Sequence, residues 1–165
     1  MPAAEIERPV LEALDALGIP YVRHEHPPVA TVEEAEKHWA GLAGAHCKNL
    51  FLRNNKGNRH YLVIAPVTRG IDLKRLTAQL GEDRLSFASA ERLKRWLGVE
   101  AGSVSPFGLL NDVSREVRVV CDAALRAAPA LGFHPNVNTA TLEISLADFE
   151  KFLGWRGNPV RWLEL

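Results

Sequence analysis

The chain has 165 residues, 20 Lys and Arg against 20 Asp and Glu, and 47% hydrophobic residues, a composition that excludes disordered and fibrous classes and fits one domain over residues 1–165. No run approaches the roughly 20 apolar residues of a membrane span, and the acidic, proline-containing start is not a signal peptide. Two cysteines without a C-x-x-C pair suggest no disulfide framework, so a reducing cytoplasm is the expected compartment.

Val10, Leu11, Leu14 and Leu17 recur at helical spacing and predict a first helix ending at Gly18, with Pro20 beyond it. Tyr21 to His26 reads as a short strand closed by Pro27 and Pro28. Thr31-Val32-Glu33-Glu34 has the form of a capping box and predicts a helix from that point. Lys48–Arg53 and His60–Ala65 are rich in strand formers and flank the turn-forming Asn54–Asn58, which predicts a hairpin. Asp72 and Gly81 bracket a helix carrying Leu73, Leu76 and Leu80. Arg84–Phe87 is a weaker strand. Ser89 caps a helix with Leu93, Trp96 and Leu97, ending at Gly98.

A loop follows over Val99–Asp112. Val117, Val119 and Cys121 alternate with Arg118 and Val120 as in a strand, and Thr141–Ile144 forms another. Ser145 and Asp148 open a helix bearing Leu146, Phe149, Phe152 and Leu153, and Val160–Leu165 reads as a last strand. The mixture of helices and strands, with a hairpin among them, predicts an α+β domain.

Charge is neutral overall but unevenly spread. Residues 46–75 hold seven basic side chains against Asp72 alone, whereas residues 1–45 hold eight acids against three bases. A basic segment of this kind can bind phosphates or be a solvated hairpin surface.

No nucleophile elbow, P-loop, dinucleotide fingerprint or H-E-x-x-H motif is present. His24 and His26 form an H-x-H pair without a third ligand, so no metal is expected. His46 and Cys47 are adjacent and would point to opposite faces of a strand, which leaves Cys47 an inert buried thiol rather than a nucleophile.

Three stretches carry more polar chemistry than their elements require. They are His46-Cys47-Lys48-Asn49-Leu50-Phe51-Leu52, Gly102-Ser103-Val104-Ser105-Pro106-Phe107-Gly108, and Gly132-Phe133-His134-Pro135-Asn136-Val137-Asn138-Thr139-Ala140-Thr141. Singly, each admits a plain reading as strand edge, connection or turn.

Together and in this order, K-N-L-F-L, G-S-V-S-P-F-G-L-L-N-D and G-F-H-P-N-V-N-T-A-T resemble the motifs of the prolyl-tRNA-synthetase-associated (YbaK-like) editing family. Within it they are most similar to free-standing deacylases that clear alanine from tRNA(Pro). The resemblance implies a mixed, mostly antiparallel, barrel-like sheet surrounded by helices. It implies hydrolysis of an ester between a wrong small amino acid and the tRNA ribose, with no cofactor, and leaves Cys-tRNA(Pro) deacylation or a non-catalytic tRNA-binding adaptor as alternatives.

The same resemblance implies that Lys48 binds near the terminal phosphate and ribose, with Asn49 beside it. A lysine suits that position as a compact charge. The loop Gly102, Ser103, Val104, Ser105 and Pro106 would aim backbone N–H groups at the substrate carbonyl. His134 would line the pocket, at least as well suited to a donor as to a general base, with Asn136, Asn138 and Thr139 as polar contacts. Val29, Ile64, Val104 and Phe107 would form an apolar wall that admits alanine and rejects larger residues by size. Arg53, Lys56 and Arg59 are the expected tRNA-backbone contacts. The expected partners are aminoacyl-tRNA(Pro) and a prolyl-tRNA synthetase; neither membrane nor DNA is expected.

Overall fold

The computed structural model describes residues 1–28 and 44–165. The helix expected from Thr31 and the wall residue Val29 lie outside the described residues. The chain runs through α1 (Ala3–Ala16), β1 (Val22–Glu25), β2 (Ala45–Asn54), β3 (His60–Pro66), α2 (Leu73–Leu80) and β4 (Leu85–Phe87). It continues through α3 (Ala90–Leu97), a 3-10 turn at Pro106–Asn111, β5 (Arg118–Asp122), a second at Ala123–Ala127, β6 (Ala130–Phe133), β7 (Ala140–Ser145), α4 (Leu146–Arg156) and β8 (Val160–Leu163).

Helix boundaries follow the capping chemistry. Asp72 accepts from the N–H groups of Lys74 and Arg75 at 3.0 and 3.2 Å, and Ser89 and Ser145 accept from Arg92 and Asp148. Gly81, Gly98 and Gly157 end α2, α3 and α4 with left-handed backbone.

The strands form one mixed sheet in the order β1-β7-β6-β2-β3-β5-β8, with β4 also on β2. Four of its seven pairings are antiparallel and three parallel. One face carries Phe51, Leu62, Ile64, Val119, Leu131 and Phe133. These pack against Val10 and Leu14 of α1, Leu93 and Leu97 of α3, and Phe149 and Phe152 of α4. The other face is smaller: Leu52, Tyr61, Val63 and Val120 meet Leu76 of α2 and Leu85. The fold is α+β, as the alternating patterns require.

What positions the site is β2. Its first residues pair with β6 (Ala45 with Leu131, His46 with Gly132), and its last pair with β4 from Leu52 onward. Between those partners the sheet forks. Lys48, Asn49 and Leu50 occupy the fork, held on the other edge by β3.

Candidate active site at the fork of β2

Strand alternation puts Lys48 on the face shared with His46, opposite Cys47 and Asn49. The last residues paired between β2 and β6 are His46 and Gly132, each two places before Lys48 and His134 in its own strand. Among the described residues Lys48 makes no ion pair or hydrogen bond, so its ammonium is available to a ligand. Asn49 points to the main-core side, and its Oδ1 is buried without a hydrogen-bond donor among the described residues. The two motif neighbours therefore do not act side by side.

His134 is fixed by its own loop. Its Nδ1 lies 2.8 Å from the carbonyl oxygen of Ala140, an acceptor only, so Nδ1 carries the proton. Burial, opposed by that hydrogen bond and aided by His26, lowers its pKa from the usual 6.5. In the neutral ring Nε2 is then a lone-pair acceptor, which favours the acceptor role over the donor one. His26 stands 5.8 Å away ring to ring, and its Nε2 meets Thr141 Oγ1 at 2.8 Å. The His26 N–H donates to the carbonyl of Thr139 at 3.0 Å. His26 and Thr141 thus belong to the site's surroundings. Sequence reasoning considered His26 only for metal, and the strand pairing that unites it with Thr141 leaves no local signal.

The glycine loop meets this segment from the other side. Gly102 has φ +90°, a conformation that favours glycine, and the nearest atom to a Cβ there would be Asn138 Nδ2 at 4.0 Å. Ser105 Oγ donates to Asn136 Oδ1 at 3.5 Å, and Asn136 Nδ2 donates to the carbonyl of Phe107 at 3.4 Å. Asn136 is thus a strut between the loops, with its amide turned into the protein rather than toward a ligand. Ser103 N–H is bonded to Glu100 and Phe107 N–H to Ser105 Oγ. Among the described residues the N–H groups of Gly102, Val104 and Ser105 meet no acceptor.

Two wall residues are corrected. Ile64 and Phe107 are both 0% exposed, with Phe107 edge-on to Phe133 and Phe152 at 6.0 and 5.3 Å. They are core residues, on the side of the sheet away from Lys48 in the case of Ile64. Val104 is half-buried and packs against that core.

Residues 26–152 match the aminoacyl-tRNA editing domain family. The chain belongs to that family. It is 44% identical over 161 residues, 98% of both chains, to the prolyl-tRNA editing protein ProX of Acetoanaerobium sticklandii. It is 37% identical over 157 residues to the prolyl-tRNA synthetase associated domain-containing protein 1 of Bos taurus, covering 93% of this chain and 91% of that one. A crystal structure of a candidate trans-editing enzyme for prolyl tRNA synthetase superposes with a TM-score of 0.72 at 22% identity, covering 99% of each chain, which shows the shared fold.

The rest of this editing domain's sequence-predicted chemistry separates cleanly. Burial pushes the Cys47 and Cys121 thiols up to about 12, so both stay protonated at neutral pH. The hairpin's basic residues do not act alike. Arg59 forms a bidentate pair with Glu82 at 2.7 and 2.8 Å, and Tyr61 donates to the same carboxylate at 2.6 Å. Its charge is already paired with a carboxylate of the chain itself. Arg53 and Lys56 have no such partner among the described residues. A cavity of about 580 Å³ is lined by Pro66, Arg69, Arg75 and Leu165, and Pro66 is the β3 partner of Cys47.

Proposed function

We propose that the chain, as a single editing domain over residues 1–165, is a trans-acting aminoacyl-tRNA deacylase whose substrate is Ala-tRNA(Pro). The observation that carries the reading is a lysine in the fork of β2 whose side chain has no partner among the described residues; a histidine after β6 with Nε2 left as an acceptor and a loop with unpaired N–H groups support it. The similarity to a protein named for prolyl-tRNA editing over nearly the whole of both chains supports the same reading.

In this reading Lys48 holds the terminal phosphate and ribose of the tRNA. A water hydrogen-bonded to His134 Nε2 attacks the ester carbonyl carbon, and the oxyanion is stabilised by the loop N–H groups. The bond to the ribose oxygen breaks, the water's proton ends on that oxygen, and free alanine leaves. Val104 limits the space for larger side chains, so proline is rejected by size. Work on charged tRNA assigns the protein to the cytoplasm and makes a prolyl-tRNA synthetase its functional partner.

The test is a deacylation panel with Ala-, Cys-, Ser- and Pro-tRNA(Pro). Alanine should be released well above the spontaneous rate, unaffected by EDTA, while Pro-tRNA(Pro) is spared. Release of cysteine in preference to alanine would reassign the substrate, and spontaneous rates throughout would sink the deacylase reading.

A further inference from the structure

The most concentrated unpaired charge outside the fork lies where the hairpin turn meets α3. Arg92 Nη1 donates to the carbonyl of Gly57 at 3.0 Å and lies 2.9 Å from His60 Nε2. Arginine is always protonated, so that histidine nitrogen is the acceptor. His60 is itself locked between Phe51, stacked at 5.5 Å, and Trp96 at 4.9 Å. Arg92 is therefore held in one orientation by two acceptors on a rigid base.

Arg53 lies beside it over the same turn. Gly57 has φ +72°, and a Cβ there would stand 2.8 Å from Arg92 Nη2 and 3.1 Å from Arg53 Nη1, so the two guanidinium groups flank the glycine. Lys56 is in the same turn, and Arg95 lies one helical turn along α3 with its guanidinium over Trp96 at 5.4 Å. Among the described residues no carboxylate reaches ion-pair distance of Arg53, Lys56, Arg92 or Arg95, although Arg59, Arg69 and Lys94 each have one. Converged guanidinium groups without a counter-charge repel each other, and a phosphate bridging them relieves that repulsion with bidentate, charge-assisted hydrogen bonds.

We propose that Arg53 and Arg92, flanked by Lys56 and Arg95, form a clamp for the phosphodiester backbone of the tRNA acceptor arm. The proposal rests on the deacylase reading for the identity of its ligand. Arg53 is five residues from Lys48 on β2, on the order of 17 Å at strand rise, and alternation turns the two side chains to opposite faces, so the single-stranded 3′ end would pass round the forked strand to engage both. The footprint thus joins two elements, the hairpin and α3, and omits Arg59.

Binding of uncharged tRNA(Pro) across a salt series separates this proposal from the deacylase reading, because it requires no hydrolysis. Arg53→Gln and Lys56→Gln should each weaken binding and lower the slope of log affinity against log salt by about one unit. Arg59→Gln should leave the slope unchanged. Arg92→Gln should act like Arg53→Gln where its thermal midpoint shows a folded protein; where it does not fold, Arg53→Gln and Lys56→Gln decide alone. Wild-type slopes in both of those variants overturn the clamp, as does an Arg59→Gln effect as large as that of Arg53→Gln. A thermal midpoint raised by inorganic phosphate, with no loss of tRNA affinity in Arg53→Gln, overturns the acceptor-arm assignment in favour of a free-anion site. Salt-dependent binding lost in the variants, but without any deacylation by the wild type, keeps the clamp and removes the deacylase reading.

Discussion

Lys48 has the profile of a residue kept for a ligand: a half-buried ammonium in a forked strand, without a carboxylate or carbonyl to hold it among the described residues. Its replacement should therefore separate activity from stability. Lys48→Ala is expected to lower Ala-tRNA(Pro) hydrolysis by on the order of 10²-fold or more while shifting stability by less than about 0.5 kcal/mol. Single-turnover deacylation beside a urea melt checks both, and a variant hydrolysing at the wild-type rate would reduce Lys48 to surface charge. At this scale the motifs around Lys48, His134 and Gly102 stand out in the sequence by residue type and spacing alone. It was uninformative where a side chain's role depends on which way it faces across the sheet. Ile64 and Val104 are both medium-sized and apolar, yet the register of β3 buries the first in the core and the loop leaves the second half-exposed.

At the scale of elements, the loop of Gly102–Pro106 and the segment of His134–Thr139 behave as one unit because Asn136 ties them. Asn136 takes a left-handed backbone, φ +64°, which asparagine tolerates better than most residues, and aims its amide at Ser105 and Phe107. Asn136→Ala should cost about 1–2 kcal/mol through those lost hydrogen bonds and lower kcat, since the loop's N–H groups lose their alignment. Asn136→Gly, which relieves the backbone without restoring the bonds, should recover part of the stability and little of the rate. Equal recovery of both would mean that the strut matters only as a turn. The hairpin and the helices begun by Asp72, Ser89 and Ser145 were legible because capping and alternation are local. β6 was not. Ala130-Leu131-Gly132-Phe133 shows little strand propensity, and it exists by pairing with β7 and with the start of β2. The 3-10 turn of Pro106–Asn111 was hidden within what read as a plain loop.

For the whole molecule, the buried titratable groups set how the fold responds to acid. His60 is pushed down from 6.5 to about 4, first by burial and then by Arg92, Arg53 and Arg95. His134 is lowered in the same direction, mainly by burial. In both cases the unfolded chain takes up a proton more readily than the folded one. The contribution of His60 to stability is therefore complete above about 6.5 and is lost as pH falls toward about 4, and that of His134 is lost in the same direction. Glu82 titrates lower still: the hydrogen bonds from Arg59, opposed by burial and helped by Tyr61, hold its carboxyl at about 2 instead of 4.5. Its contribution is complete above 4.5 and is lost as pH falls from there toward 2. Urea midpoints measured from pH 8 to pH 3 should accordingly decline in two stages, the histidine stage first. His60→Gln should flatten the decline between pH 6.5 and 4 by up to about 1.4 kcal/mol per pH unit, and Glu82→Gln should flatten only the lower stage. A midpoint that holds level from pH 7 to pH 4.5 in the wild type would mean that His60 accepts its proton without displacing Arg92. The rigid base assigned to the arginine pair would then be absent.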